Sequence, residues 1–249
     1  MSNEINIPDN LSSKQLVQLL FDFIHRTILH HSHWYSEIRH QMGEEKALSA
    51  LDGVFKKSLP IQLNRFSKAL GFEDKGGFLD HLHDLPKAKL LEWLDVFAAN
   101  WLANDGIWFQ EVEFDSGMND AKRCNDSCWA QFSPIEARLI KNFLGLTEQP
   151  GLTGLKQALN FRLYGRINKQ SISEETETSF VFQMNECRVQ VARNRKGLDD
   201  YPCKSVGLVE YPYFAKAIDE RIKTTCIGCP PDSHPQDWYC AWKFSISES

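Results

Sequence analysis

Five of the seven cysteines fall in the last quarter of the chain, at Cys187, Cys203, Cys226, Cys229 and Cys240. Cys226 and Cys229 form a Cys-x-x-Cys pair that Pro230 and Pro231 close. Such a pair lets two thiolates reach one ion, and more distant cysteines complete a tetrahedron, the usual arrangement of structural zinc. The spacing predicts a metal-pinned C-terminal region, with five candidates for four positions. An iron–sulfur cluster is the alternative cofactor, because spacing restricts donor type without fixing the metal. Inert or redox-active thiols are the remaining readings. A disulfide framework is disfavoured, since residues 1–6 show neither a basic n-region nor an apolar h-region, and the expected compartment is the cytoplasm.

A second chemistry is available to carboxylates. Trp34-Tyr35-Ser36-Glu37-Ile38, ending at Gly43, is echoed by Trp108-Phe109-Gln110-Glu111-Val112, ending at Gly117. If the two stretches pack as equivalents, Glu37 and Glu111 approach one space beside tryptophan walls, and either is a candidate general base. The alternative is that helices of similar amphipathicity share such a pattern through packing needs alone. His30, His33, Glu37 and His40 form one helical stripe that could bind metal, although such a stripe is more often a half-solvated flank. Asn104 and Asp105 are candidate polar groups of the same cleft, with Trp34, Trp108, Phe161 and Phe182 as candidate walls. Arg162, Arg166, Arg188, Arg193 and Arg195 gather close in sequence, so a guanidinium fork, Arg188 included, could hold a carboxylate ligand; solvation is the plainer reading. Cys124 and Cys128 lie one turn apart, and burial beside Trp129 is expected of them rather than ligation.

Helices must position most of these groups. Ser12 with Gln15 offers a capping box for a long helix ending at Gly43. A second helix is expected over 44–57, Pro60 restarts a short one ending at Gly71, and Pro86 opens another long one through Trp108. Ser133, Pro134 and Glu136 read as a further helix start, with Gly145 beyond its end. The period then changes to two: 161–167 and 178–184 read as a hairpin, 187–196 and 213–218 as helices, and 221–226 and 238–246 as closing strands. The expected architecture is α+β, an N-terminal helical bundle (1–130) packed with a C-terminal helix and antiparallel-sheet region (131–249) pinned by the cysteine metal site.

The run from Cys187 to Gly197, Cys203-Lys-Ser-Val-Gly207, Cys226-Ile-Gly-Cys-Pro-Pro-Asp232 and Asp237-Trp-Tyr-Cys-Ala-Trp-Lys-Phe244 resembles a family of uncharacterised bacterial cytosolic proteins. More distantly it is similar to L-2-amino-thiazoline-4-carboxylate hydrolase-like proteins and to vinyl-4-reductase-type small-molecule-binding domains. The resemblance implies helices on a twisted antiparallel sheet, an apolar ligand pocket between them, and zinc-holding cysteines. Cys203, Cys229 and Cys240 take the positions of the recurring cysteines. Cys226 departs from the vinyl-4-reductase pattern, and Cys187 could serve as fourth ligand. No catalytic residue carries over.

With 249 residues, 42% hydrophobic and 12% aromatic, the chain can bury a sizeable core. A formal charge of -5 gives no basic field for nucleic acid, and no apolar run reaches the roughly 18 residues that a membrane span needs. The expected partner is a small molecule, with a second copy of the chain as a candidate. The expected function is a zinc-binding, small-molecule-binding protein. The alternatives are a hydrolase of a cyclic amidine or amide, using Glu37 or Glu111, and an iron–sulfur or thiol redox protein.

Overall fold

The computed structural model describes residues 11–71, 77–198 and 200–247, so the reading of residues 1–6 lies outside the described residues. The chain divides into two compact units between Leu85 and Pro86. The expected change of region at 130 falls inside a helix.

The first unit holds α1 (Ser13–Met42), α2 (Glu44–Ala69) and the short α3 (Phe78–His83). The capping box forms as expected: Ser12 Oγ accepts from the Gln15 backbone, and Gln15 Oε1 accepts from the Ser12 N–H at 3.0 Å. One residue, Gly43, joins α1 to α2 at φ 87° and ψ 169°. Its N–H still bonds the Arg39 carbonyl, so α1 ends capped and α2 begins at once.

The second unit opens with the same construction. Here α4 (Lys87–Ser116) meets α5 (Met118–Leu144) at Gly117, with φ 91° and ψ 166°. The likeness extends well beyond the tryptophan motif. Leu16, Leu20, Phe23, Trp34, Glu37, Gly43, Ala47, Pro60, Ile61, Leu70 and Gly71 each meet an identical residue 74 positions later, from Leu90 through to Gly145. The two hairpins are thus a repeat in sequence and in backbone.

Both prolines correct the expected helix boundaries. Pro60 lies within α2 and Pro134 within α5, so neither starts a helix. An interior proline costs about 3 kcal/mol. In α5 that cost is outweighed by packing, because Ser133, Glu136, Ala137 and Ile140 are buried beside it and α5 lies along α8 (Lys204–Ile218). Ser133 Oγ is buried without a hydrogen bond and caps nothing. Pro212 likewise lies inside α8, which begins at Lys204 and not near Tyr213.

After α6 (Gly151–Asn160) the alternating stretch 161–167 forms no strand; Leu163–Arg166 is a 3-10 turn. Arg162 decides this. Its guanidinium is buried between Glu136 of α5, at 2.9 Å, and Glu210 of α8, at 2.7 Å, and Leu163 N–H also bonds Glu136. A β pairing would pull this latch apart. Gly165 permits the tight turn, since a Cβ there would stand 2.8 Å from the Asn160 carbonyl oxygen.

The sheet runs β1 (Lys169–Ser173), β2 (Ser179–Glu186), β4 (Cys240–Ser245), β3 (Lys223–Gly228), all antiparallel. Phe180 pairs with Phe244 and Phe182 with Trp242, and α8 packs on this aromatic face. Tyr211 stacks on Trp242 with ring centroids 4.7 Å apart, and Gly207 admits that indole where a Cβ would lie 2.3 Å from it. Between β2 and α8 comes α7 (Arg188–Arg195), close to its expected bounds.

Candidate functional site

The aromatic side of the second unit leaves a cavity of about 420 Å³, framed by α4, α5, the 3-10 turn, α7 and α8. Trp129 anchors one wall: it stacks on Tyr164 at 5.5 Å, and Trp101 meets both rings edge-on. Phe109 and Tyr201 form a second edge-to-face pair, at 5.0 Å. Tyr201 is held through its hydroxyl, which accepts from Lys122 Nζ at 2.9 Å and from Asn125 Nδ2 at 2.6 Å. Gln190 of α7 clasps its backbone on both sides, donating to the Tyr201 carbonyl and accepting from its N–H, each at 2.9 Å.

Most charges of the wall are already matched. Arg193 grips Glu113 through two bonds of 3.0 Å, Lys196 bonds Gln110, and Glu210 faces Arg162. Two groups are left over. Among the described residues Asp105 makes no hydrogen bond or ion pair, and the guanidinium of Arg188 has no partner. Burial pushes the Asp105 carboxyl up to about 6. Burial raises Glu210 as well, against the lowering charge and hydrogen bond of Arg162.

The sequence candidates separate in the structure. Arg188 and Asp105 line the cavity; Asn104, Glu111 and Trp108 do not, and all three are exposed on α4. Glu37 is exposed on α1, where it accepts a hydrogen bond from Gln41 at 2.8 Å. Trp34 borders a different cavity, between α1 and α2 in the first unit. Phe161 is exposed against Phe143, and Phe182 is core, so neither is a pocket wall. Arg162 is a buried latch, Arg166 pairs with Asp95, and the exposed Cys124 and Cys128 are not buried beside Trp129 as expected. Trp129, Tyr164 and Tyr201 went unrecognised as walls. The signal present was Trp129 aligned with Phe55 in the repeat.

Four of the five C-terminal cysteines converge. Cys187 precedes α7, Cys203 precedes α8, Cys229 follows β3 and Cys240 opens β4. Hydrogen bonds with Cys203 and Cys240, then burial, hold the Cys229 thiol far above its ordinary range. Burial, then Cys203, pushes Cys187 up to about 12. Gln190 also donates to Cys203 Sγ at 3.3 Å. Cys226 lies apart, raised by its burial and influenced by Lys204 and Asp232 more than by Cys240. Among the described residues no group of three or more His, Cys, Asp or Glu is set out to hold a metal. That statement includes the His30, His33, Glu37 and His40 stripe. No described helix is long and apolar enough to cross a membrane.

Fold and cavity together define a mixed helix and antiparallel-sheet domain with an aromatic pocket. The chain belongs to a family of unknown function, DUF6125, whose profile matches residues 83–246, nearly all of the second unit. No curated protein and no solved structure matches it.

Proposed function

We propose that the second unit binds a small organic molecule bearing a carboxylate, which Arg188 engages at the edge of the aromatic cavity. The observation that carries this reading is an unmatched guanidinium on the wall of a pocket of about 420 Å³ whose other cations are engaged. Ligand pockets are mainly apolar with few polar anchors, and this one has that constitution. A zinc ion on Cys187, Cys203, Cys229 and Cys240 forms part of the same proposal. The donor chemistry fits, because a dication would turn the buried Cys187 and Cys229 and the half-buried Cys203 and Cys240 into stable thiolates and would tie β3, β4, α7 and α8 together in place of core area. An iron–sulfur cluster is the competing occupant of these sulfurs.

Elemental analysis of protein purified without added metal tests the metal part. About one zinc per chain is expected, with Cys203→Ser and Cys240→Ser each losing metal and melting lower while Cys124→Ser retains it. Visible colour would favour iron–sulfur, and metal-free protein of equal stability would end the proposal. For the pocket, benzoate should bind wild type and be lost in Arg188→Gln. The hydrolytic reading needs a carboxylate inside the cavity. There Asp105 is better placed than Glu37 or Glu111, and its carboxyl, held near 6, suits a general base.

A further inference from the structure

The pocket has a second unmatched charge of opposite sign, and that charge specifies ligand chemistry. Asp105 is set on α4, half-buried on the cavity wall, and no donor among the described residues reaches its carboxyl. Buried carboxylates are ordinarily paired, because an isolated charge in an apolar setting is costly. Around it stand the faces and edges of Phe109, Trp129, Tyr164 and Tyr201. Aromatic rings attract cations through their quadrupoles and offer nothing comparable to an anion or a neutral polar group. In this unit the device already operates once, where Arg162 lies over Trp129, Tyr164, Tyr211 and Phe214 between two carboxylates.

The repeat supplies an independent contrast. The residue 74 positions before Asp105 is His31, which lines the cavity of the first hairpin beside Tyr35, the counterpart of Phe109. The same place on the same helical framework thus carries a carboxylate in the second hairpin and an imidazole in the first.

We infer that the cavity of the second unit takes an organic cation, with its protonated nitrogen against Asp105 and its apolar body on Phe109, Trp129, Tyr164 and Tyr201. This rests on the reading of the cavity as a small-molecule site. Combined with Arg188, it makes the preferred ligand one that carries opposite charges at separate ends. Asp105 is a specificity-determining residue, and its role is to accept a charge-assisted hydrogen bond that neutral ligands cannot repay.

The groups facing Asp105 are Cys128 on α5, Tyr164 on the 3-10 turn, and Tyr201 and Glu210 on the α8 side, with Arg188, Arg193 and Lys196 across the cavity on and just after α7. Arg193 and Lys196 are engaged elsewhere, and Glu210 is held by Arg162, so Asp105 is the group whose ionisation changes the pocket between mildly acidic and neutral solution. Cation binding is therefore full where the carboxyl is ionised and weakens as pH falls through its range.

The test compares benzylamine, cationic throughout this range, with the neutral isostere benzyl alcohol on the full-length protein by calorimetry. Benzylamine should bind at least about tenfold more tightly than the alcohol at neutral pH, and weaken roughly tenfold when pH drops from about 7 to about 5. Asp105→Asn, which keeps the shape, should erase the preference while leaving benzyl alcohol binding intact. Its melting curve checks folding, and the pH series on wild type needs no variant at all. Equal affinity for the two probes overturns the inference and spares the pocket. Failure of both to bind overturns the inference together with the pocket reading.

Discussion

The two hairpins share a plan and differ in what lies along one ridge. On α5 the buried positions are Ala121, Lys122, Trp129, Ser133, Glu136, Ala137 and Ile140, most of them facing α8 and the latch around Arg162. Their counterparts on α2 are Ala47, Leu48, Phe55, Leu59, Gln62, Leu63 and Phe66. This second set is more apolar, yet Phe55, Leu59 and Phe66 are exposed. The ridge that meets a layer carries polar groups where its counterpart is apolar, Ser133 for Leu59 and Lys122 for Leu48, and a charge in Glu136 where Gln62 is neutral. Specific packing, not hydrophobicity, separates a hairpin buried against α8 from one that repeats its outline. The family profile draws the same line, because it covers the second hairpin and leaves the first outside.

Paired substitutions sharpen this contrast. Trp129→Ala should cost about 3–5 kcal/mol, as expected for a buried aromatic, whereas the equivalent Phe55→Ala should stay within about 0.5 kcal/mol. Urea unfolding of each variant measures the difference. Equal losses would mean that the α2 ridge is as well packed in solution as that of α5.

A smaller effect should mark the two pocket positions. Unfolded Asp105 ionises near 3.8 and the folded carboxyl near 6, so between these values the folded state holds the extra proton. Stability therefore falls as pH rises across that interval and stays lower above it, by about 3 kcal/mol at most. Asp105→Asn removes the penalty and should raise the melting temperature at neutral pH but not near pH 4, by about 2–4 °C per kcal/mol for a protein of this size. His31→Asn should reproduce no such pH-dependent gain. Thermal melts at two pH values decide it, and an unchanged Asp105→Asn curve at neutral pH would remove the argument for a strained carboxyl.

The smallest effects belong to Glu37→Gln and Glu111→Gln, each within about 0.5 kcal/mol by urea unfolding because both side chains are exposed. A loss of ligand binding in Glu111→Gln, with folding intact, would return that residue to the site.

Local signals made part of this fold legible in sequence. The capping box placed α1, Pro86 and Gly117 bracketed α4, and alternation located β4. Where tertiary contacts overrule local preference the reading went astray. Pro134 looked like a helix start because its neighbours supply caps, but α8 holds that stretch helical. The alternation at 161–167 looked like a strand because nothing nearby reveals that Arg162 is claimed by Glu136 and Glu210. Arg188 was found as a charge and Asp105 as a polar group on the right helix, while Tyr201 depends on Lys122, remote in sequence. Which sulfurs lie together depends on the strand register, which sets Cys226 opposite Trp242 and leaves Cys229 beyond the strand, with Cys203 and Cys240.

The one-residue joints at Gly43 and Gly117 have a consequence for how this chain tolerates variation. Nothing stands within 4 Å of where a Cβ would project at either position, so by contact alone any side chain would fit. Yet both take φ near +90° with an extended ψ, a region that is essentially glycine's own and costs other residues about 1–3 kcal/mol. A saturation library would show two solvent-facing positions depleted of every substitution, though no neighbour touches them. There the constraint is written in the backbone, and it holds whatever side chains line the helices on either side.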